Sequence, residues 1–142
     1  LPPELAAELP AMALDGEIWA GRGQFKKAVA AVKRGKFSAG VRFMVFDAPA
    51  AKGTWMERMA TARRALRGKF AEVVTSTAVR DREHLWELFI GVRVGGGEGL
   101  ILRYAPSAHY YSWRTPHILK VKNYPSRCAP RALEASAELR AA

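Results

Sequence analysis

The apolar run from Val41 to Ala48 constrains the fold of this chain more than any other segment. It is rich in β-branched and aromatic residues and is stopped by Pro49, which cannot donate to a sheet ladder. We therefore expect a central strand there. Shorter helical and strand-like segments alternate irregularly around it and lack the regular βαβ rhythm of a parallel sheet. The pattern predicts an α+β fold with mainly antiparallel sheets and flanking helices.

Capping signals and apolar periodicity predict the other elements. Helices are expected over 2–9, 25–35, 54–68 and 81–95, and further strands over 12–19, 71–75, 98–104 and 117–122. In the second helix, Ala28, Val29 and Val32 have the spacing of one buried face. In the last strand, period two places Lys120 and Lys122 on the same face. The alanine-rich stretch 130–142 could be a loose terminal helix.

The distribution of charge indicates an anionic partner. The chain has 142 residues and a formal net charge of +10. Two tracts, Ile18–Phe46 and Leu100–Leu133, contain no Asp or Glu but several Lys and Arg residues. A solvated surface usually mixes the two signs, so these tracts are typical of a face that meets phosphates. An ordinary basic surface is the alternative.

Other classes are excluded by composition. No apolar run approaches the roughly 18 to 20 residues of a membrane-spanning helix, so we expect no membrane association. Cys128 is the only cysteine, which excludes an internal disulfide and a cysteine-based metal site. The aromatic residues Tyr110, Tyr111 and Trp113 either stack on nucleic acid or pack their own loop.

Candidate site residues lie at four points: Glu17, the Phe46-Asp47 pair, Glu98, and the lysines at 120 and 122. Each alone is explained by an ordinary structural role. Together, two acids, an aromatic and two co-facial lysines on strands match what a nucleotide and its divalent metal require. Carboxylates bind Mg²⁺, cations bind phosphate, and a flat ring stacks on a base.

Four segments resemble a known family in order and spacing: LDGEIWAGRGQF, RFMVFDAP, GGGEGLILR and ILKVK. They are similar to the successive nucleotidyltransferase motifs of ATP-dependent DNA ligases, and most similar to the small single-subunit bacterial type. The resemblance covers roughly Leu14 to Tyr124. It implies a partial adenylation domain with a nucleotidyltransferase, ATP-grasp-like fold over 1–128, followed by a C-terminal tail over 129–142.

The resemblance also implies residue roles. Glu17 would contact the ribose or the metal, Phe46 would stack on adenine, and Glu98 would serve the metal. Lys120 and Lys122, the implied catalytic residues, would hold the α-phosphate, and Arg114 would contact phosphate. The implied cofactors are ATP and Mg²⁺ or Mn²⁺.

The family's activity has three steps: a lysine takes AMP from ATP, AMP passes to a DNA 5′-phosphate, and a 3′-hydroxyl displaces AMP to seal the nick. The implied partner is nicked double-stranded DNA. The implied protein is a monomer of the bacterial cytoplasm or periplasm that acts in DNA replication, repair and recombination.

Two family features lie outside the sequence as given. The nucleophilic lysine belongs to a KxDGxR motif that comes several tens of residues before the DGE segment, whereas sixteen residues precede Glu17 here. An oligonucleotide-binding barrel follows the ILKVK strand in the family, whereas twenty residues follow Lys122. We therefore expect a fragment that forms no covalent adenylate by itself.

Three alternatives stay open. An RNA ligase or capping-type nucleotidyltransferase shares the acid and lysine motifs. A non-catalytic nucleic-acid-binding remnant is consistent with the charge. A basic structural protein would leave the ordered motifs unexplained.

Overall fold

A computed structural model describes residues 1–122. Four helices and five strands follow one another along this part of the chain: α1 (Pro3–Ala6), β1 (Asp15–Trp19), α2 (Phe25–Arg34), β2 (Arg42–Asp47), α3 (Trp55–Ala65), β3 (Ala71–Val73), α4 (Arg82–Val94), β4 (Gly99–Arg103) and β5 (Ile118–Lys122). The chain divides into two compact units. The first contains Leu1–Ala78 and Tyr104–Trp113, and the second contains Val79–Arg103 and the described residues of 114–122.

The first unit is built on a three-stranded sheet in the order β1-β2-β3. The predicted central strand is confirmed as β2, which pairs antiparallel with β1 and parallel with β3. Two of the three strand pairs in the described residues are antiparallel, counting the β4–β5 pair of the second unit. The register between β1 and β2 shifts between Asp15 and Gly16.

Two apolar clusters pack against this sheet. One gathers Leu5 from α1 and Val41 from the residue before β2, and the other gathers Val45 with Trp55 and Met59 from α3. Phe43 packs against both clusters. Removing these apolar side chains from water, at about 25 cal/mol per Å² of apolar surface, is the main stabilising contribution to the fold of this unit.

Helix α2 begins where predicted, and its predicted buried face is confirmed at Ala28 but wrong at Val32, while Val29 is half-buried. Ala28 and Ala31 are buried, whereas Val32 is 54% exposed and Phe25 is 79% exposed. The sequence offers two overlapping faces at helical spacing, one of small residues and one of large ones. The alanine face lets the helix axis approach its neighbours more closely than valine side chains would allow, and so it is the face that packs.

Helix α3 begins with the predicted capping box. The Thr54 hydroxyl accepts a hydrogen bond from the Glu57 backbone N–H, and the Glu57 carboxylate accepts one from the Thr54 backbone N–H at 2.7 Å. Helix α1 spans only Pro3–Ala6 and is shorter than the predicted 2–9. Strand β1 begins at Asp15, three residues later than predicted, and ends at Trp19 as predicted.

The second unit consists of α4 and the antiparallel hairpin of β4 and β5. Asp81 caps α4 as predicted, accepting a hydrogen bond from the His84 N–H at 2.7 Å. Phe89 is the buried residue of its apolar stripe. The predicted terminal helix over 130–142 lies outside the described residues. None of the helices within residues 1–122 has the length and apolar character needed to cross a bilayer.

Candidate functional site

The structure places Glu17 and Phe46 on paired strands of the first unit. Glu17 of β1 lies opposite Met44 of β2, two residues before Phe46. Glu17 is exposed, and Phe46 is half-buried between the buried residues Val45 and Asp47. Two of the residues predicted for the site therefore lie on one pair of strands, with Phe46 two residues beyond the partner of Glu17.

Gly16 explains why a glycine precedes the acid in the DGE segment. A Cβ added to Gly16 would lie 2.5 Å from the Met44 carbonyl oxygen and 2.7 Å from the ring of Phe43. No real side chain tolerates such distances to backbone atoms, so glycine permits the close approach of the two strands here. Glu17 is attached directly beside this point of contact.

Asp47 forms a buried ion pair that the sequence analysis did not predict. The Arg58 guanidinium of α3 donates from Nε to Asp47 Oδ1 at 2.8 Å and from Nη2 to Oδ2 at 3.2 Å. Asp47 is 0% exposed and Arg58 is 2% exposed. Arg58 also donates to the carbonyl oxygens of Gly53 at 3.0 Å and Ser107 at 3.4 Å. The pair is thus bidentate and hydrogen-bonded on several sides, the arrangement that a buried charge requires.

The start of α3 also fixes the backbone at Phe46. The Trp55 indole N–H donates to the Phe46 carbonyl oxygen at 3.0 Å. The Phe46 carbonyl oxygen thus accepts a hydrogen bond from α3, and the next residue, Asp47, is ion-paired with Arg58 of the same helix. The backbone that carries this ring is held by α3 at two consecutive residues.

Glu98 and the two lysines come together in the second unit. β4 pairs with β5 so that Gly99 lies opposite Lys122 and Ile101 lies opposite Lys120. The Lys122 ammonium lies 3.0 Å from Glu98 Oε2. Lys120 and Lys122 are exposed whereas Leu119 and Val121 are half-buried, which agrees with the predicted period-two alternation. Arg114 is exposed in the segment before β5.

The pKa of Glu98 is lowered from its ordinary value. The hydrogen bond from Lys122 contributes most, followed by the charge of Lys122, and the charges of Arg93 and Lys120 act in the same direction. Because the Glu98 side chain is 87% exposed, the pair adds little to stability. Its consequence is chemical: the lowered pKa keeps Glu98 a carboxylate further into the acid range.

We expect the substitution Lys122→Met to raise the pKa of Glu98 back towards its ordinary value, because the largest cause of the depression is removed. The Glu98 carboxyl carbon, followed by NMR from pH 7 to pH 2, would report the change. In the unsubstituted chain, the ion pair is complete above the ordinary carboxyl pKa and is lost as the pH falls through the depressed one. Lys120→Met is the matched control and should cause a smaller rise. An equal rise in both variants would contradict the assignment to Lys122.

The donor chemistry is compatible with a magnesium ion bound together with a phosphate. Among residues 1–122, no group of three or more His, Cys, Asp or Glu side chains is placed to hold a metal. Mg²⁺ is commonly held through one or two carboxylates plus substrate phosphates, with water completing its shell. Glu98 supplies an exposed carboxylate in the second unit and is kept ionised, and Glu17 supplies an exposed carboxylate in the first, so each by itself fits the one-carboxylate form of that mode.

The predicted site residues thus fall into two groups. Glu17 and Phe46 belong to the first unit, and Glu98, Arg114, Lys120 and Lys122 belong to the second. Each group is defined within its own unit. The convergence of all six residues on one nucleotide stays a prediction.

The described residues form a mixed α/β fold with small sheets, in which Glu17 lies on a strand, Glu98 directly precedes one, and Lys120 and Lys122 share the exposed face of β5. No protein-family model matches the chain. The chain is 31% identical over 120 residues to a DNA ligase of Haemophilus influenzae, a match that covers 81% of this chain and 44% of the relative. A solved structure from a structure-function study of Lig E DNA ligases, concerned with DNA binding with a minimal scaffold, matches with a TM-score of 0.74 at 30% identity. That match covers 87% of this chain and 51% of the solved one.

These similarities identify the chain as a DNA ligase-related domain. The chain spans about half the length of the ligases that it matches.

Proposed function

We propose that this chain is the nucleotide-handling part of an ATP-dependent DNA ligase, an adenylation domain that acts on nicked double-stranded DNA. The observation that carries the proposal is the β4–β5 hairpin, in which Glu98 and Lys122 are ion-paired beside the exposed Lys120. This cluster occurs in a domain related to DNA ligases. Phosphoryl transfer depends on cations and metal ligands of this kind, because charge develops on the phosphate and the leaving group.

The β5 strand supplies the phosphate-binding cations in this proposal. Residues two apart on a strand lie about 6 to 7 Å apart along one face, which lets Lys120 and Lys122 approach different oxygens of the same phosphate. A phosphate at Lys122 competes with Glu98 for the ammonium. Glu98, no longer paired with Lys122, would be able to hold a divalent cation, which when bound would offset the negative charge of the phosphate. In this proposal, phosphate binding breaks the Glu98–Lys122 ion pair.

The remaining residues bind and orient the nucleotide. Phe46 stacks on adenine from a backbone fixed by Trp55 and by the Asp47–Arg58 pair. Glu17 contacts the ribose or the metal, and Arg114 contacts phosphate. In these roles the ring fixes the base, and the charged groups fix the phosphates relative to it.

DNA is the proposed macromolecular partner. Helix α2 lies within the first acid-free tract. Its four cationic residues are exposed: Lys26, Lys27, Lys33 and Arg34. In this proposal their charges meet the DNA backbone, and binding should weaken steeply with salt, as counterion release requires. We propose that the protein acts as a monomer.

A second candidate function is nucleic-acid binding without catalysis. The net charge of +10 and the exposed cations of α2 favour it. An RNA ligase or capping-type enzyme is a third reading of the same acid and lysine residues.

Sealing of a pre-adenylated nick separates these functions. In this step the DNA 3′-hydroxyl attacks the 5′-phosphate, a phosphodiester bond forms, and AMP leaves, so no lysine nucleophile is needed. We expect the chain with Mg²⁺ to seal a 5′-adenylated nick above the protein-free rate, as measured by denaturing gel electrophoresis. DNA binding without sealing would favour the non-catalytic function. Preference for an RNA nick would favour the RNA ligase, and failure to bind either nucleic acid would contradict all three functions.

A further inference from the structure

The segment 104–113 of the first unit is anchored to α3 through Ser107. The Ser107 carbonyl oxygen accepts hydrogen bonds from the Trp55 backbone N–H at 3.0 Å and from Arg58 Nη1 at 3.4 Å. The Ser107 hydroxyl donates to the His109 carbonyl oxygen at 3.3 Å, and Ser107 is buried. The segment is therefore attached to the helix that also holds Asp47.

A second anchor lies three residues further along. The Tyr110 hydroxyl donates to Asp15 Oδ2 of β1 at 2.9 Å, and the contact is partly buried. Of the two roles left open for the aromatic residues of this loop, Tyr110 therefore takes the packing role. Ser107 and Tyr110 thus attach both ends of this short stretch to other elements of the first unit.

Beside these anchors, three rings form an edge-to-face series. The centroids of His109 and Tyr111 lie 6.2 Å apart at 63°, and those of Tyr111 and Trp113 lie 5.7 Å apart at 78°. We call His109, Tyr111 and Trp113 the aromatic ladder. Trp113 ends the ladder and is 69% exposed. An indole so exposed at the end of an anchored loop is a feature of binding surfaces more than of loop packing.

We propose that the aromatic ladder is a stacking platform for an unpaired base of a DNA strand, with Trp113 as the ring in contact. The inference rests on the proposed function in taking DNA as the partner. The net charge of +10 favours a polyanionic partner, and the face of an exposed indole can stack on any nucleobase. Inside an intact duplex, both faces of each base are covered by neighbouring pairs. The platform therefore favours DNA whose bases are accessible, such as a gap, a flap or the frayed end beside a break.

The test compares three DNA molecules of matched length: a single strand, a duplex with a one-nucleotide gap, and an intact duplex. Fluorescence anisotropy would measure their affinity for the unsubstituted chain, Trp113→Ala, Trp113→Phe and Trp86→Ala. Trp86 is the control because it is 54% exposed and lies in α4, outside the ladder. Because Trp113 is largely exposed, its variants should keep the thermal unfolding midpoint of the unsubstituted chain, and circular dichroism would check this.

We expect Trp113→Ala to weaken binding of the single strand and the gapped duplex by at least about fivefold, the lower end for losing one stacked base. Binding of the intact duplex should stay unchanged. Trp113→Phe should retain most of the affinity, and Trp86→Ala should change none of it. Unchanged binding by Trp113→Ala, or an equal loss on all three DNA molecules, would overturn the platform while leaving the proposed function standing. Failure of the unsubstituted chain to bind any DNA would instead contradict the proposed function.

Discussion

Replacing Arg58 with methionine is expected to lower the free energy of unfolding by about 3 to 5 kcal/mol, the usual cost of removing one partner from a buried ion pair. The Asp47 carboxylate, which is 0% exposed, would lose both guanidinium hydrogen bonds. The carbonyl oxygens of Gly53 and Ser107 would lose a donor as well. Urea denaturation followed by circular dichroism would measure the loss.

Two controls separate the buried charge from simple loss of packing. Arg64→Met removes an exposed arginine from the same helix and should change stability by about 0.5 kcal/mol or less. The double variant Asp47→Leu with Arg58→Met removes both charges and should recover more than half of the loss, because no unpaired carboxylate remains. A single variant that costs less than about 1 kcal/mol would show that the pair is not buried in solution.

The substitution Lys120→Ala should slow the sealing of a pre-adenylated nick by about 100-fold or more, which is typical when one charge-stabilising donor is removed from a transition state. DNA affinity should fall little, because one phosphate contact among several is lost. Single-turnover kinetics with saturating DNA would separate the rate from the affinity. Lys120→Arg keeps the charge and should retain part of the rate.

Lys52→Ala is the matched control for this prediction. Lys52 is exposed in the turn before α3 and is not a proposed site residue. Its rate should equal that of the unsubstituted chain. A similar decrease in both variants would mean that Lys120 contributes only general positive charge.

Local patterns predicted most of the elements. The run that became β2, the capping box of α3 and the Asp81 cap of α4 each depend on residues within a few positions of one another. Such signals can be read because their physical cause is local. The alternation of β5 is of the same kind, and it placed both lysines on one face.

Long-range contacts set the features that were missed. The face of α2 that packs is decided by the neighbouring elements, and periodicity alone could not choose between its two faces. The Arg58 guanidinium meets Asp47 across 11 positions and Ser107 across 49. A hint was present, because Arg58 lies next to the apolar residue Met59 and Asp47 ends an apolar strand. Neither signal identifies its partner, and only the packed sheet brings them together.

Each of the two candidate acids, Glu17 and Glu98, is next to a glycine that touches a neighbouring strand. Gly16 has no room for a Cβ against Met44, and a Cβ at Gly99 would collide with the Val121 carbonyl oxygen. Glu17 and Glu98 are thus each bonded to a glycine at which the neighbouring strand leaves no space for a side chain, and this close contact confines the backbone. Each carboxylate would reach a cation mainly by rotation about its own side-chain bonds. We therefore expect that shortening either acid by one methylene would withdraw its oxygens from a cation, because the confined backbone beside it would have to shift to compensate.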